Sequence, residues 1–198
     1  HALGAGILLY EIQQPSNVTF RLDDWGRVDA FGVARALHHR EGLALVDPRS
    51  RPEPIPRVPL ADPAADRALL VATAYFALER IAFAEDAAVR IAAVDSPQVL
   101  TPVTGAVTID ASGWDSTAAI GETVILPAGQ EAKLSGHPDS VVLRGWVPDL
   151  EREVISPARA AGATDSAIRG LGVPTAGAVD GTRRVAHEPV QRSGANSC

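Results

Sequence analysis

The sequence predicts an all-β fold of the sandwich or jelly-roll type. Short stretches rich in Val, Ile and Leu recur through the middle of the chain, and clusters of Gly, Pro, Asp and Ser separate them. Short strands spaced by turn residues are typical of sandwiches and jelly rolls. The predicted strands cover residues 69–83, 88–92, 99–109, 122–126 and 141–147.

Two more strands are predicted near the N-terminus. Apolar and polar residues alternate in residues 8–13 and again in 18–23, which is the period of a strand with one apolar face. Residues 14–17 include Pro and Asn and are predicted to form the turn between them. If the two strands pair, they form one polar surface of the kind that lines a sugar pocket in a β-barrel. It carries Glu11, Gln13, Thr19 and Arg21.

The remaining segments are predicted to connect or to follow this sheet structure. Residues 34–46 are predicted to hold a short helix. Residues 47–62 contain five prolines, which lack the backbone donor, so they are predicted to form a linker and not a helix or an inner strand. Residues 157–198 are rich in Ala, Gly, Ser and Arg and offer little apolar surface to offset the entropy cost of ordering. We expect a folded domain over residues 1–148 and a disordered tail over 149–198, with a frayed helix near 156–161.

Composition restricts the class of protein. A chain of 198 residues with 46% apolar content can bury one core, so one domain is expected. The net charge of −6 is spread along the chain, so neither nucleic acid nor an anionic membrane is an expected partner. Cys198 is the only cysteine, which excludes an internal disulfide and a thiolate metal cluster. We expect a cytoplasmic protein without a membrane-spanning segment.

Two N-terminal segments resemble the type I mannose-6-phosphate isomerase family. They run from His1 to Gln14, beginning His-Ala-Leu, and from Val18 to Arg27. In that family the His of this motif is a zinc ligand and the later Arg is an active-site residue. The resemblance therefore implies that His1 binds zinc and that Arg21 is catalytic and contacts the substrate. Glu11 is a further candidate for substrate binding.

A second motif supports the same resemblance. Residues 121–129 have the form G-x5-P-x-G of the second cupin motif, and residues 75–80 are also similar to the family. A strand that ends in a Pro-Gly turn is the alternative interpretation of residues 121–129. The resemblance implies a cupin-type double-stranded β-helix, an RmlC-like jelly roll, with a short helix. Residues 130–133 lack the histidine that follows in metal-loaded cupins, so this half is expected to hold no metal of its own.

The implied activity is the zinc-dependent interconversion of mannose 6-phosphate and fructose 6-phosphate through an enediolate. In the family, the other zinc ligands come from the half before the histidine that His1 matches. This predicts a fragment that is inactive alone, whose partners are a phosphorylated hexose and the missing N-terminal portion of the same enzyme. Without the resemblance, Arg21 is interpreted as a salt-bridge residue on a sheet face. Asp23 stands where the family commonly has Tyr, so it adds a carboxylate that could compete with a phosphate for Arg21.

A different class of function is also consistent with the sequence. A cupin without catalytic activity, used for sugar binding or for interaction between domains, has the same strand pattern. A cupin domain fused to a sugar-nucleotide transferase is a third, weaker alternative. A Gln-x-His pair and a later Glu upstream of His1 would favour the enzyme.

Overall fold

The computed structural model describes residues 4–14, 19–51, 53–84 and 87–174, and it confirms the all-β fold. Two antiparallel sheets face each other. The six-stranded sheet has the order β1-β2-β3-β10-β5-β8, and the four-stranded sheet has the order β4-β9-β6-β7. The strands are β1 (Val58–Leu60), β2 (Ala65–Ala72), β3 (Ala77–Phe83), β4 (Ala87–Ile91), β5 (Gln98–Thr104), β6 (Val107–Ala111), β7 (Trp114–Ala118), β8 (Val124–Leu126), β9 (Ala132–Gly136) and β10 (Val141–Trp146).

The main apolar core lies between the two sheets. In β6 the residues alternate strictly between buried and exposed, as expected for a strand with one face on a core. Side chains from both sheets meet in this way and exclude water from the space between them. The buried members include Ile81, Ile91, Leu100, Ile109, Leu126, Leu134 and Val142.

Turn residues divide two of the predicted strands. The predicted strand over 69–83 is interrupted at Thr73, whose Oγ1 accepts hydrogen bonds from the backbone N–H groups of Tyr75 and Phe76. The predicted strand over 99–109 is divided at Gly105, where φ is +66° and an added Cβ would lie 2.3 Å from Oγ of Ser140. Only glycine fits this position without strain.

The proline-rich segment has the character predicted for it. Its one strand, β1, includes Pro59 and lies at the edge of the six-stranded sheet. An edge strand tolerates proline because one of its sides needs no ladder partner. The predicted helix over 34–46 is confirmed in its second half as α1 (His39–Leu45).

The prediction of two N-terminal strands is wrong for the part of the segment that the structure describes. Residues 4–14 and 19–24 contain no strand. Leu8 is 94% exposed and Phe20 is 41% exposed, so the alternating apolar side chains have no facing sheet to cover them. A two-stranded hairpin without such a cover is marginal in water. Residues 15–18, the predicted turn, lie outside the described residues.

The prediction of a disordered tail from residue 149 is wrong up to residue 174. A π-helical turn (Leu150–Ile155) continues into α2 (Ser156–Ala160), and α3 (Asp165–Gly170) follows. Small or isolated apolar side chains of this segment close a second core at one end of the jelly roll, so few large residues suffice to order it. They are Val154, Ala158, Ile168, Leu171 and Val173, packed with Leu69, Ala72, Ala77 and Trp146. Residues 175–198 of the predicted tail lie outside the described residues.

None of the helices within the described ranges is long and apolar enough to cross a membrane.

Candidate functional site

Arg21 lies in a loop and is held there by His38, which precedes α1. The backbone N–H of Arg21 donates to Nδ1 of His38 at 3.2 Å, and the backbone N–H of His38 donates to the carbonyl oxygen of Arg21 at 2.7 Å. The ring of Phe20 meets the His38 ring edge-on, with centroids 6.1 Å apart. These contacts fix the Arg21 backbone although no strand contains it.

Asp24 joins Arg21 to a second arginine. Arg35 forms a two-pronged ion pair with Asp24, with Nε donating to Oδ2 at 2.7 Å and Nη2 donating to Oδ1. Nε of Arg21 lies 3.9 Å from the same Oδ1. Asp24 is 8% exposed, whereas the Arg21 and Arg35 side chains are 24% and 52% exposed. The carboxylate of Asp24 is therefore buried, whereas the side chains of Arg21 and Arg35 that contact it are partly exposed to solvent.

The negative charge of Asp24 and the positive charges of the nearby arginines stabilise each other. The hydrogen bond from Arg35 is the largest of the effects that lower the pKa of Asp24, and the charges of Arg35, Arg21 and Arg27 lower it further. The same hydrogen bond raises the pKa of Arg35. Asp24 is therefore ionised at neutral pH, and it orients both arginines without exchanging protons with them.

Asp23 caps a backbone turn beside Arg21. Its Oδ1 accepts hydrogen bonds from the backbone N–H groups of Asp24 at 2.7 Å and Trp25 at 3.0 Å. Trp25 has a φ of +55°, so this carboxylate caps a turn whose backbone is strained for a residue with a Cβ. The contacts of this oxygen are with the backbone, and no ion pair joins Asp23 to Arg21 in the described residues. Competition with a bound phosphate stays a prediction.

The other predicted site residues do not join this cluster. Glu11 is exposed, and within the described part of the chain no hydrogen bond or ion pair links it to Arg21. Its neighbour Ile12 instead packs on Gly145 of β10. The predicted zinc ligand His1 lies outside the described residues.

The described residues do not supply a complete metal site. In residues 4–14, 19–51, 53–84 and 87–174, no group of three or more His, Cys, Asp or Glu side chains is placed to hold an ion. A catalytic zinc needs about three protein ligands and an open position. These residues therefore do not fit a zinc centre by themselves.

A second polar cluster, which the sequence analysis missed, lies inside the jelly roll. Glu79 of β3 is fully buried and stands directly opposite Arg144 of β10 in the sheet register. Its Oε2 accepts from Nη1 of Arg144 at 2.9 Å, and its Oε1 accepts from Nε of Arg67 at 2.6 Å. Gln98 of β5 accepts from Nε of Arg144 at 2.7 Å. The alternation in β3 indicates this position, because Glu79 shares a face with the buried Ala77 and Ile81.

The two facing antiparallel sheets define the class of the chain as a cupin-type jelly roll. Comparison with known proteins then shows which proteins this chain is similar to. No protein-family model matches the chain. Over 53 residues, 27% of this chain, it is 45% identical to mannose-6-phosphate isomerase ManA of Bacillus subtilis. Over 46 residues, 23% of this chain, it is 41% identical to the mannose-6-phosphate isomerase of Streptococcus mutans. The matched stretches span 17% and 15% of these two relatives.

A solved structure agrees with the sequence matches in fold. The mannose 6-phosphate isomerase from Bacillus subtilis superimposes with a TM-score of 0.52 at 16% identity, covering 64% of this chain and 39% of that one. The predicted resemblance and the predicted cupin fold are both confirmed. The chain is similar to the cupin portion of type I mannose-6-phosphate isomerases.

Proposed function

We propose that this chain is part of a mannose-6-phosphate isomerase in which Arg21 acts on the substrate. The observation that carries the proposal is the 45% identity to ManA over 53 residues. The cluster around Asp24 supports it, because two arginines share one ionised carboxylate and reach the surface together. Guanidinium groups with fixed geometry are suited to a phosphorylated sugar.

The chemistry of aldose–ketose exchange gives Arg21 its role. Removal of a proton beside the carbonyl group places negative charge on an oxygen of the enediolate. A permanently charged guanidinium lowers the energy of that oxyanion without exchanging a proton itself. Asp24 is a positioning residue in this proposal, since it contacts Arg21 and Arg35.

Zinc enters the proposal only through His1 and residues from outside this chain. The described residues do not fit a zinc centre, so no step of the proposed chemistry is derived through the metal. A chain that supplies a single zinc ligand is expected to bind the ion weakly and to have negligible isomerase activity alone.

Glu11 stays a proposed substrate contact. A phosphorylated sugar does not cross membranes unaided, so the proposed setting is cytoplasmic.

The exposed apolar surface of the N-terminal region supports a missing partner segment. Isolated exposed apolar residues are normal, but a concentration of them marks an interaction site. We assign this surface to contact with the N-terminal portion of the same enzyme. Its members are Ile7, Leu8, Leu9, Tyr10, Phe20, Leu22, Trp25, Val28, Phe31, Val33, Leu37, Leu43, Leu45 and Val46.

The same surface favours a second candidate function, a non-catalytic module for interaction between domains. An exposed apolar surface has the same form whether the covering partner completes an active site or not. The first candidate predicts that the completed protein converts mannose 6-phosphate and needs Arg21 for this reaction. The second candidate predicts no conversion.

A chimera with Bacillus subtilis ManA tests the proposal. Residues 1–51 of this chain replace the corresponding residues of that enzyme, and the conversion of mannose 6-phosphate is measured together with the zinc content. We expect zinc to be retained and kcat/KM to fall by less than about 100-fold, since the reacting groups are preserved. A folded, zinc-loaded chimera without turnover would favour the interaction module. The unmodified 198-residue chain serves as the inactive control.

A further inference from the structure

His38 is held by its neighbours so that its imidazole ring faces the backbone of Arg21. The carbonyl oxygen of His38 accepts from the backbone N–H of Gly42 in α1 at 2.8 Å. Its own backbone N–H donates to the carbonyl oxygen of Arg21 at 2.7 Å, and the Phe20 ring lies edge-on against the imidazole. The His38 side chain is half-buried, whereas the next residue, His39, is exposed. Both the backbone and the ring of His38 are therefore held against the Arg21 loop.

The ring can accept the Arg21 hydrogen bond in only one protonation state. The backbone N–H of Arg21 donates to Nδ1 of His38 at 3.2 Å, so Nδ1 must present a lone pair and carry no proton. A neutral imidazole has one N–H and one accepting nitrogen, which places the proton on Nε2. A charged imidazole has an N–H on each nitrogen and accepts no hydrogen bond. Protonation of His38 therefore removes the acceptor and sets two N–H groups against each other.

Solvent can reach the ring, and no ion pair holds it in the charged form. No described residue accepts a hydrogen bond from Nε2 of His38, and no buried side-chain nitrogen among the described residues lacks a partner, so Nε2 is open to water. Asp24 is occupied by Arg21 and Arg35, and no described carboxylate forms an ion pair with His38. The charged or titratable side chains of the surrounding loop and of the first turn of α1 are Arg21, Asp23, Asp24, Arg35, His39, Arg40 and Glu41.

Loss of this hydrogen bond affects the part of Arg21 that no strand or helix supports. A partly buried N–H without an acceptor is unfavourable, so the Arg21 backbone is expected to move towards water when the ring is charged. Nε of Arg21 lies 3.9 Å from Oδ1 of Asp24, which is close to the limit of about 4 Å for an ion pair. A small shift of the backbone therefore separates the guanidinium from the carboxylate that orients it. The bond from the His38 N–H to the Arg21 carbonyl persists in both states, so the loop stays folded.

We propose that His38 is a positioning residue that holds Arg21 in its working arrangement only while the imidazole ring is neutral. The hydrogen bond is fully formed above the pH range in which the ring takes up a proton, and it is lost below that range. The effect on turnover rests on the proposed function of Arg21. The dependence of the contact on protonation does not.

NMR spectroscopy of the full chain tests the contact independently of turnover. At about pH 8, where histidine is ordinarily neutral, the nitrogen chemical shifts of the His38 ring should identify Nδ1 as the unprotonated nitrogen. As the ring takes up a proton, the hydrogen-exchange protection factor of the Arg21 amide should fall by about tenfold, because one hydrogen bond is lost. A proton on Nδ1 of the neutral ring, or protection of the Arg21 amide that does not follow the ring titration, would overturn the proposal.

Two substitutions of His38 separate the hydrogen bond from the charge. Asparagine offers an amide oxygen near the position of Nδ1 and does not change charge, so His38→Asn should keep the Arg21 amide protected at every pH. His38→Leu removes the acceptor and should lower the protection at about pH 8 by about tenfold. The matched control is His39→Asn, which changes the exposed neighbour and should behave like the unmodified chain. Normal protection in His38→Leu, or a retained pH dependence in His38→Asn, would contradict the assignment.

The ManA chimera that carries residues 1–51 tests the consequence for turnover. The ratio of kcat at about pH 8 to kcat at about pH 6 is compared between the chimera and its His38→Asn variant, since other ionisations affect both alike. We expect this ratio to be at least about threefold larger with His38 present. Equal ratios in an active chimera would overturn the effect of His38 on turnover. A chimera without turnover would instead contradict the proposed function, and the NMR experiments would still decide the role of His38.

Discussion

Residues 53–174 bury their own apolar cores, whereas residues 4–51 leave most of their large apolar side chains exposed. In the first region ten strands and the C-terminal helices enclose side chains such as Leu134 and Leu171, which are fully buried. In the second region the buried residues within the described ranges are Asp24 and Gly42. Apolar contacts order the jelly roll, while polar contacts around Asp24 order the N-terminal loops. The first region is therefore expected to be stable alone, and the second to gain order from a partner.

The largest expected effect comes from removing the C-terminal helices. A chain that ends at residue 149 uncovers the second apolar core, including Leu69 and Trp146, and we expect it to lose cooperative unfolding in urea. A chain that ends at residue 174 keeps all the described residues of that core and serves as the control. If the chain ending at residue 149 unfolded like the full-length protein, the helices would contribute nothing to the fold.

Substitutions of leucine compare the two regions directly. Leu134→Ala removes a fully buried side chain between the sheets and is expected to lower the free energy of unfolding by about 2–5 kcal/mol. Leu8→Ala changes a side chain that is 94% exposed, and its effect should stay within about 0.5 kcal/mol. Chemical denaturation measures both. Equal losses for the two variants would mean that residues 4–14 pack as firmly as the sheets.

Breaking the buried ion pair between Arg144 and Glu79 is expected to lower the free energy of unfolding by less than the largest losses caused by a core cavity. Arg144→Met leaves Glu79 buried with only Arg67 as its charged partner, so we expect a loss of about 3 kcal/mol in the free energy of unfolding. The exposed pair formed by Arg90 and Glu131 provides the comparison, since Arg90→Met should cost less than about 1 kcal/mol. A double-mutant cycle with Glu79→Gln measures the coupling. A coupling energy near zero would show that Glu79 and Arg144 do not stabilise each other.

The smallest expected effect is a pH-dependent change in the stability of the N-terminal loops. The folded-state pKa of Asp24 is lowered by Arg35, so the stabilisation by this pair is fully present above the ordinary carboxyl pKa of 3.8. It is lost as the pH falls through the lowered folded-state value. Carbon-detected NMR titration of Asp24 should show the lowered pKa, and Arg35→Met should raise it. An unchanged titration in Arg35→Met would show that the pair does not form in solution.

The jelly roll could be predicted largely from residue patterns, but the C-terminal helices could not. Alternation and turn residues indicate β4, β8 and β10 with small errors at their ends, because a strand on a core has one apolar face. Strands β7 and β9 were missed, since Trp114–Ala118 and Ala132–Gly136 contain many small or polar residues. The tail was misjudged because composition counts apolar residues without showing that Val154 and Ile168 converge on one surface.

The site around Arg21 was predicted only in part. The family resemblance indicates Arg21 itself, but the contacts with Asp24, Arg35 and His38 join residues that are up to 17 positions apart in loops. Loop contacts of this kind have no periodic pattern in the sequence. The turn that Asp23 forms with Trp25 could not be predicted for the same reason, because it depends on the backbone conformation.

The most direct test of the proposed function is the turnover of Arg21 variants in the ManA chimera that carries residues 1–51. Arg21→Ala is expected to lower kcat by at least about 100-fold with normal zinc content, because the lost cation acts on developing charge and not on the metal. Arg21→Lys should restore only part of the rate, since one ammonium lacks the forked donors. Arg49→Ala, which changes an exposed arginine paired with Asp47, should have little effect. Turnover of the Arg21→Ala chimera at the rate of the unmodified chimera would contradict the account and leave Arg21 as an ordinary salt-bridge residue.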